Sequence, residues 1–262
     1  MNIKKESTGG GLRSLVGTRA FYKKVLLVAV PIMIQNGITN FVSLLDNIMV
    51  GQVGTEQMSG VAIANQLVFI FNLCIFGAVA GAGILGAQFY GSGNSEGVRD
   101  TFRFKLLFGV ILSAIFAVIF LTVGEPLIQQ FIHQGEGIGD LEATRSYGKA
   151  YLEVIVIGIL PFALTQCYSG TLRETGETVI PMIAGIIAVL VNLVFNYILI
   201  FGKLGAPELG CVGAAIATVL SRFVELAIVA GWTHKHVARN PFIRGALRSF
   251  KIPGGLLKQI RI

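Results

Sequence analysis

Residues 25–50 read VLLVAVPIMIQNGITNFVSLLDNIMV, an apolar run with a carboxylate, Asp46, inside it. At about 1.5 Å of rise per residue, such a run crosses a hydrocarbon core of about 30 Å as one helix. A charge near the centre of a spanning helix costs about 2.5–3.5 kcal/mol, so it calls for a partner or a purpose. Steps of three or four residues back from Asp46 reach Ser43, Thr39 and Gln35. These positions share one helical face. Pro31 lies in the same run and removes a backbone donor from it. A hydrated Asp46 at the helix end, close to Gly51 and Gly54, is the simpler alternative. An interfacial aspartate has no need of a polar stripe behind it, so the stripe is read as facing protein or water.

The rest of the composition agrees with a membrane location. Of 262 residues, 53% are hydrophobic and only 13% charged, where a soluble domain carries about 25%. The mean hydropathy is +0.73. The chain is therefore an integral membrane protein whose surrounding partner is the lipid bilayer. Its net charge of +7 does not gather on one face, which argues against a nucleic-acid partner. Cys74, Cys167 and Cys211 form no CxxC and have no nearby histidine, so they read as small apolar residues. His133, His234 and His236 are all expected in loops. There is no HExxH, no Walker lysine and no nucleophile–base pair, so no catalytic residues are assigned and no enzyme activity is expected.

Six apolar runs follow one another, at about 25–50, 58–90, 106–123, 147–171, 181–201 and 212–232. The expected fold is all-α, an integral membrane six-helix bundle. Residues 1–24 read as a cytoplasmic tail, 25–232 as the six-helix lobe and 233–262 as a basic cytoplasmic tail or inter-lobe linker. With the N-terminus inside, 17 of the 21 basic residues fall on inner segments and three, Arg145, Lys149 and Lys203, on outer loops. That bias places both ends in the cytoplasm. An even number of spans lets a second copy, fused after residue 262, insert in the same orientation as a parallel repeat.

The fifth run carries Asn192 and Asn196, four apart and on one face. Their amides either glue helices together or meet Asp46 to form a site with one ionisable group. Weaker candidates for a cavity lining are Asn65, Gln66, Asn72, Thr165, Gln166, Thr218 and Ser221. Arg222 and Glu225 are spaced to pair with each other in the sixth helix, and Gly77 and Gly81 to admit a neighbouring backbone.

Several motifs in order resemble the multidrug and toxic compound extrusion transporters: LLDNIMVG (44–51), GAQFYGSGN (86–94), YLEVIVIGILPF (151–162), LRETGETVIPM (172–182), NYILIFG (196–202) and GAAIATVLSR (213–222). The resemblance covers most of residues 25–225. It implies one lobe of a two-lobe, 6+6 secondary transporter in the cytoplasmic membrane, exporting amphipathic or cationic compounds against Na⁺ or H⁺. It also implies that Asp46 takes part in cation coupling, with Asn192 and Asn196 as companions and Thr218 lining the same cavity. These residues, with Gln35, Thr39 and Ser43, make up the expected cation and substrate pathway. Asp46, Asn192 and Asn196 are the expected ligands of a bound Na⁺; no other cofactor is expected. Some family members have aspartate where this chain has Asn196, which leaves one titratable group fewer and keeps Na⁺ coupling open. The second lobe has no counterpart in the 262 residues, so a C-terminal lobe or a second copy is the implied partner. A lipid-linked oligosaccharide flippase of the same superfamily and a non-transporting membrane scaffold are the alternatives.

Overall fold

A computed structural model describes residues 18–134 and 140–248, with the side chain of Ser43 among those outside the description. Residues 1–17 of the expected N-terminal tail and 249–262 of the expected C-terminal tail or linker likewise lie outside the described residues.

Six helices follow in order: α1 (Arg19–Gly51), α2 (Thr55–Gly91), α3 (Ser95–Gln134), α4 (Leu141–Glu174), α5 (Val179–Ile200) and α6 (Gly210–Lys235). All six are long and apolar enough to cross a membrane. Except for α5, they are clearly longer than the apolar runs, because polar turns continue the helices beyond the hydrophobic window. The largest difference lies between 124 and 145, expected to be a long connection. Here α3 continues through Pro126, with Ile128 and Ile132 buried in the core, and α4 starts at Leu141. Asp140 caps α4: its Oδ1 accepts from the amides of Glu142 and Ala143 at 2.9 and 3.1 Å.

The turns on the other side are set by glycine. Gly176 adopts φ +88° after α4, and the amide of Glu177 returns to the Leu172 carbonyl at 2.8 Å. Gly93 does the same after α2, with Asn94 N 2.8 Å from the Phe89 carbonyl. Both are helix ends closed by a left-handed residue, a conformation that costs glycine least.

α4 is the hub, packing on α2, α3 and α6, while α5 packs on α6 and carries α1. One core cluster joins α2 to α4 around Leu67, Phe71, Leu152 and Ile155. A second joins Phe102, Leu106, Tyr168 and Leu172 to Phe242 and Ile243. The latter two come from the stretch after α6, expected to be a basic tail or inter-lobe linker. That stretch is docked at least to Arg248: Arg103 donates to the carbonyls of Ala246 and Gly245 at 2.9 and 2.7 Å. Hydropathy alone misses it, because three buried apolar residues, Phe242, Ile243 and Ala246, are too few to register as a span.

Three further expectations are corrected. Among the described residues, a Cβ at Gly77 or Gly81 meets nothing within 4 Å, so these glycines form no close helix crossing within this bundle. The crossing is at Gly60 and Gly148, where α2 and α4 touch backbone to backbone. His234 lies inside α6, not in a loop, with Nε2 3.1 Å from the Tyr168 hydroxyl, and His133 lies within α3. Lys105, counted as a loop charge, is a fully buried side chain three turns into α3.

Candidate functional site

The site is assembled from α1, α5 and α6, with α2 and α4 as its walls. Asn192 and Asn196 are one turn apart on the buried face of α5. Asn196 Nδ2 donates to Asp46 Oδ1 at 2.5 Å across the α1–α5 contact. The Asn192 amide lies 3.2 Å from Asn196 Nδ2 and 3.3 Å from Thr218 Oγ1. Its surroundings are best satisfied with the amide nitrogen toward Asp46, 3.0 and 3.1 Å from the two carboxylate oxygens. An amide nitrogen suits a bare carboxylate, whereas an amide oxygen at that distance needs a proton or cation between the two acceptors. Asn196 Oδ1 is buried without a partner.

Two cavities meet at this point. One, of about 370 Å³, opens between α1, α2, α4 and α6, past Asn65 and Tyr151, whose hydroxyl donates to Asn65 Oδ1 at 3.1 Å. The other, of about 330 Å³, extends past Asn192 and Phe162 to Gln35, Arg173 and Glu225. Asp46, Asn72, Thr218 and Arg222 line both. Each cavity falls in the range of small-molecule sites, about 300–1,000 Å³.

The structure thus brings Asp46, Asn192, Asn196 and Thr218 into one hydrogen-bonded group. Gln35 and Thr39 line the second cavity. Gln35 is buried, and its Oε1 accepts from Arg173 Nη2 at 2.7 Å, tying the middle of α1 to the end of α4. Thr39 donates to the Gln35 carbonyl at 2.9 Å, so its hydroxyl is spent on its own helix. Ser43 lies on the same helix; its side chain is outside the described residues. Thr165 likewise donates to its own helix, at the carbonyl of Pro161, 2.8 Å away.

Residue spacing does not reveal the charged far end of the second cavity. Arg173 reads as a loop residue because it follows an apolar run, yet α4 continues through it. Arg222 and Glu225, one turn apart, both line the cavity but form no ion pair with each other. The Arg222 guanidinium instead lies over the Phe162 ring, 5.1 Å from its centroid. Among the described residues, no group of three or more His, Cys, Asp or Glu side chains converges as a metal cluster.

Comparison with known proteins agrees with this architecture. The MatE family model matches residues 31–198. A probable multidrug resistance protein NorM from Thermotoga maritima is 33% identical over 208 residues, covering 79% of this chain and 43% of its own length. The multidrug resistance protein NorM of Vibrio parahaemolyticus is 26% identical, covering 79% of this chain and 44% of its own. Among solved structures, an outward-facing multidrug resistance MATE family transporter of the MOP superfamily superimposes with a TM-score of 0.76 at 25% identity. It covers 97% of this chain and 53% of its own. A MATE crystal structure in the straight conformation gives 0.78 at 24% identity, again over 97% and 53%, a likeness of fold alone. The chain spans about half the length of the relatives it matches. Its six spanning helices and the family match over residues 31–198 place it plainly: the chain belongs to the MatE family.

Proposed function

We propose that the chain is the N-terminal lobe of a cation-coupled antiporter that exports amphipathic or cationic compounds across the cytoplasmic membrane. The observation that carries this reading is the position of Asp46, at the junction of two cavities and hydrogen-bonded to a buried amide of α5. Family membership, and the multidrug resistance names of the relatives, support drug export as the task. The basic bias of the inner segments supports an orientation with both termini cytoplasmic. A C-terminal lobe, or a second copy, supplies the other wall of the translocation path, since alternating access needs two bundles rocking about a shared site.

In this mechanism the planar Asn192 amide answers the charge on Asp46. With Asp46 ionised and alone, the amide nitrogen faces the carboxylate. When a proton or Na⁺ arrives, the amide turns and presents its oxygen, returning the nitrogen to Thr218. The buried, unpartnered Asn196 Oδ1 offers a further oxygen, and oxygen donors are what a hard cation such as Na⁺ prefers.

The test is the stability of the 262-residue chain in detergent, titrated with NaCl against choline chloride at acidic and alkaline pH. Na⁺ binding to the folded state alone raises stability by about 2.7 kcal/mol at a hundredfold excess over Kd. Protons compete for the same carboxylate, so the expected gain is larger at alkaline pH. It disappears in Asp46→Asn. A folded chain that ignores Na⁺, or an Asp46→Asn variant that responds like the parent, would overturn the assignment.

A further inference from the structure

Away from the cavities around Asp46, the first turns of α1 and the start of α5 form a groove of about 1010 Å³. Its long wall is α1. Arg19, Tyr22, Lys23, Leu26, Leu27 and Val30 recur there in steps of three and four, so they share one face of the helix. Val179, the first residue of α5, lines the other side. All six side chains on α1 are exposed. The face is graded along its length, with two cations and a phenol at the start and only apolar residues from Leu26 to Pro31.

Charge and depth together indicate what covers this surface. Arg19 and Lys23 make no hydrogen bond or ion pair through their side chains among the described residues, and no carboxylate lines the groove. From Arg19 to Pro31 the helix rises about 18 Å, against about 15 Å for the hydrocarbon of one leaflet. The groove is therefore about one acyl chain deep. Its cations stand at headgroup level, beside Tyr22 in the interfacial zone where tyrosine is enriched. A small soluble anion would answer the cations and leave the aliphatic floor bare. A neutral lipid would cover the floor and leave the cations unanswered. With the N-terminus cytoplasmic, the leaflet in question is the inner one, where basic pockets between helices attract anionic headgroups.

We propose that the α1–α5 groove is a binding site for an anionic phospholipid, with the phosphate held by Arg19 and Lys23 and an acyl chain laid along Leu26, Leu27 and Val30. The groove shares no lining residue with either cavity at Asp46, so the site is separate from the proposed transport path. It does not depend on the export reading.

The test is native mass spectrometry of the 262-residue chain in detergent, titrated with dioleoyl phosphatidylglycerol or dioleoyl phosphatidylcholine. Two basic residues close to an anionic headgroup are worth about thirtyfold in affinity, so phosphatidylglycerol is expected to bind about that much tighter. In the double variant Arg19→Gln, Lys23→Gln the preference falls close to parity. Removing the same charge from two exposed arginines beyond α6, as in Arg239→Gln, Arg244→Gln, leaves it in place. Equal binding of the two lipids by the parent overturns the proposal, as does a preference that the second pair of substitutions abolishes just as fully. Glycerol 3-phosphate that displaces the lipid at equal concentration would show an anion site without a lipid, and also overturns it. So does a parent chain found as a lipid-free dimer, because a second copy then covers the groove. Should the double variant fail to fold, Lys23→Gln alone decides, with an expected loss of about fivefold.

Discussion

Replacing Glu174 by alanine is expected to destabilise the chain by about 3–5 kcal/mol, the usual cost of stranding one member of a buried ion pair. Lys105 Nζ lies 2.5 and 2.6 Å from the two oxygens of Glu174 and 3.2 Å from Thr171 Oγ1. The lysine side chain is 0% exposed and that of the glutamate 13%, and this difference sets the order of the effects. Without Glu174, the fully buried ammonium keeps a single hydroxyl, Thr171 Oγ1, as acceptor. Without Lys105, as in Lys105→Met, the carboxylate is left at the partly open end of α4, where water can reach it. The loss is then smaller, about 2 kcal/mol. The double variant Lys105→Met, Glu174→Leu removes both charges and is expected to recover most of the parent's stability, because apolar residues replace buried pairs at little net cost. Unfolding in mixed micelles, run as a double-mutant cycle, checks all three. Additive losses in the double variant would show that the two residues act independently. The consequence reaches the site, because Arg173 precedes Glu174 in the last turn of α4 and holds Gln35 of α1. A loosened α4 end frees α1 from the second cavity.

Hydropathy and spacing bring most of this molecule within reach of its sequence, and they fail at identifiable places. Six apolar runs announce six helices, since backbone groups in lipid have few other ways to be satisfied. Asp46 stands out because a carboxylate in such a run is costly, and Asn192 and Asn196 because a four-residue step repeats on one face. Lys105 and Arg173 were harder for one shared reason. A charge ends a hydropathy window, although the helix that bears it need not end there. Lys105 and Arg173 follow or precede apolar runs by a turn or less and so look like loop residues, while their partners, Glu174 and Gln35, are 69 and 138 positions away. Nothing local marks such a pair. With Arg222 the spacing to Glu225 suggested an ion pair, whereas the two charges act on each other from beyond salt-bridge reach. A three-residue step brings two side chains to one face but does not turn them toward each other when an aromatic ring and a cavity compete for one of them.

Glycine spacing fails in the same way, and there the difference is directly measurable. Gly60→Ala is expected to cost about 2–3 kcal/mol, as overpacking of a closed contact does. A Cβ at Gly60 would stand 2.6 Å from the Thr144 carbonyl oxygen and 2.7 Å from the Gly148 amide nitrogen, and neither backbone atom can rotate away. Relief requires α2 and α4 to separate along the seam of Leu67, Phe71, Leu152 and Ile155, the larger of the two cores. That separation also pulls Tyr151 from Asn65, so the first cavity loses part of its wall. Gly148→Ala is expected to be milder, since its Cβ would meet Gly60 at 3.0 Å or more. Gly77→Ala and Gly81→Ala provide the contrast. Their Cβ atoms would meet nothing within 4 Å, and alanine is preferred to glycine in a helix interior by up to about 1 kcal/mol. These two variants should match or exceed the parent in thermal stability in detergent. A loss at Gly81 as large as that at Gly60 would mean that the open face of α2 is covered in the folded protein. The same small-xxx-small spacing would then serve a contact beyond this bundle, while the Gly60–Gly148 crossing holds the bundle itself together.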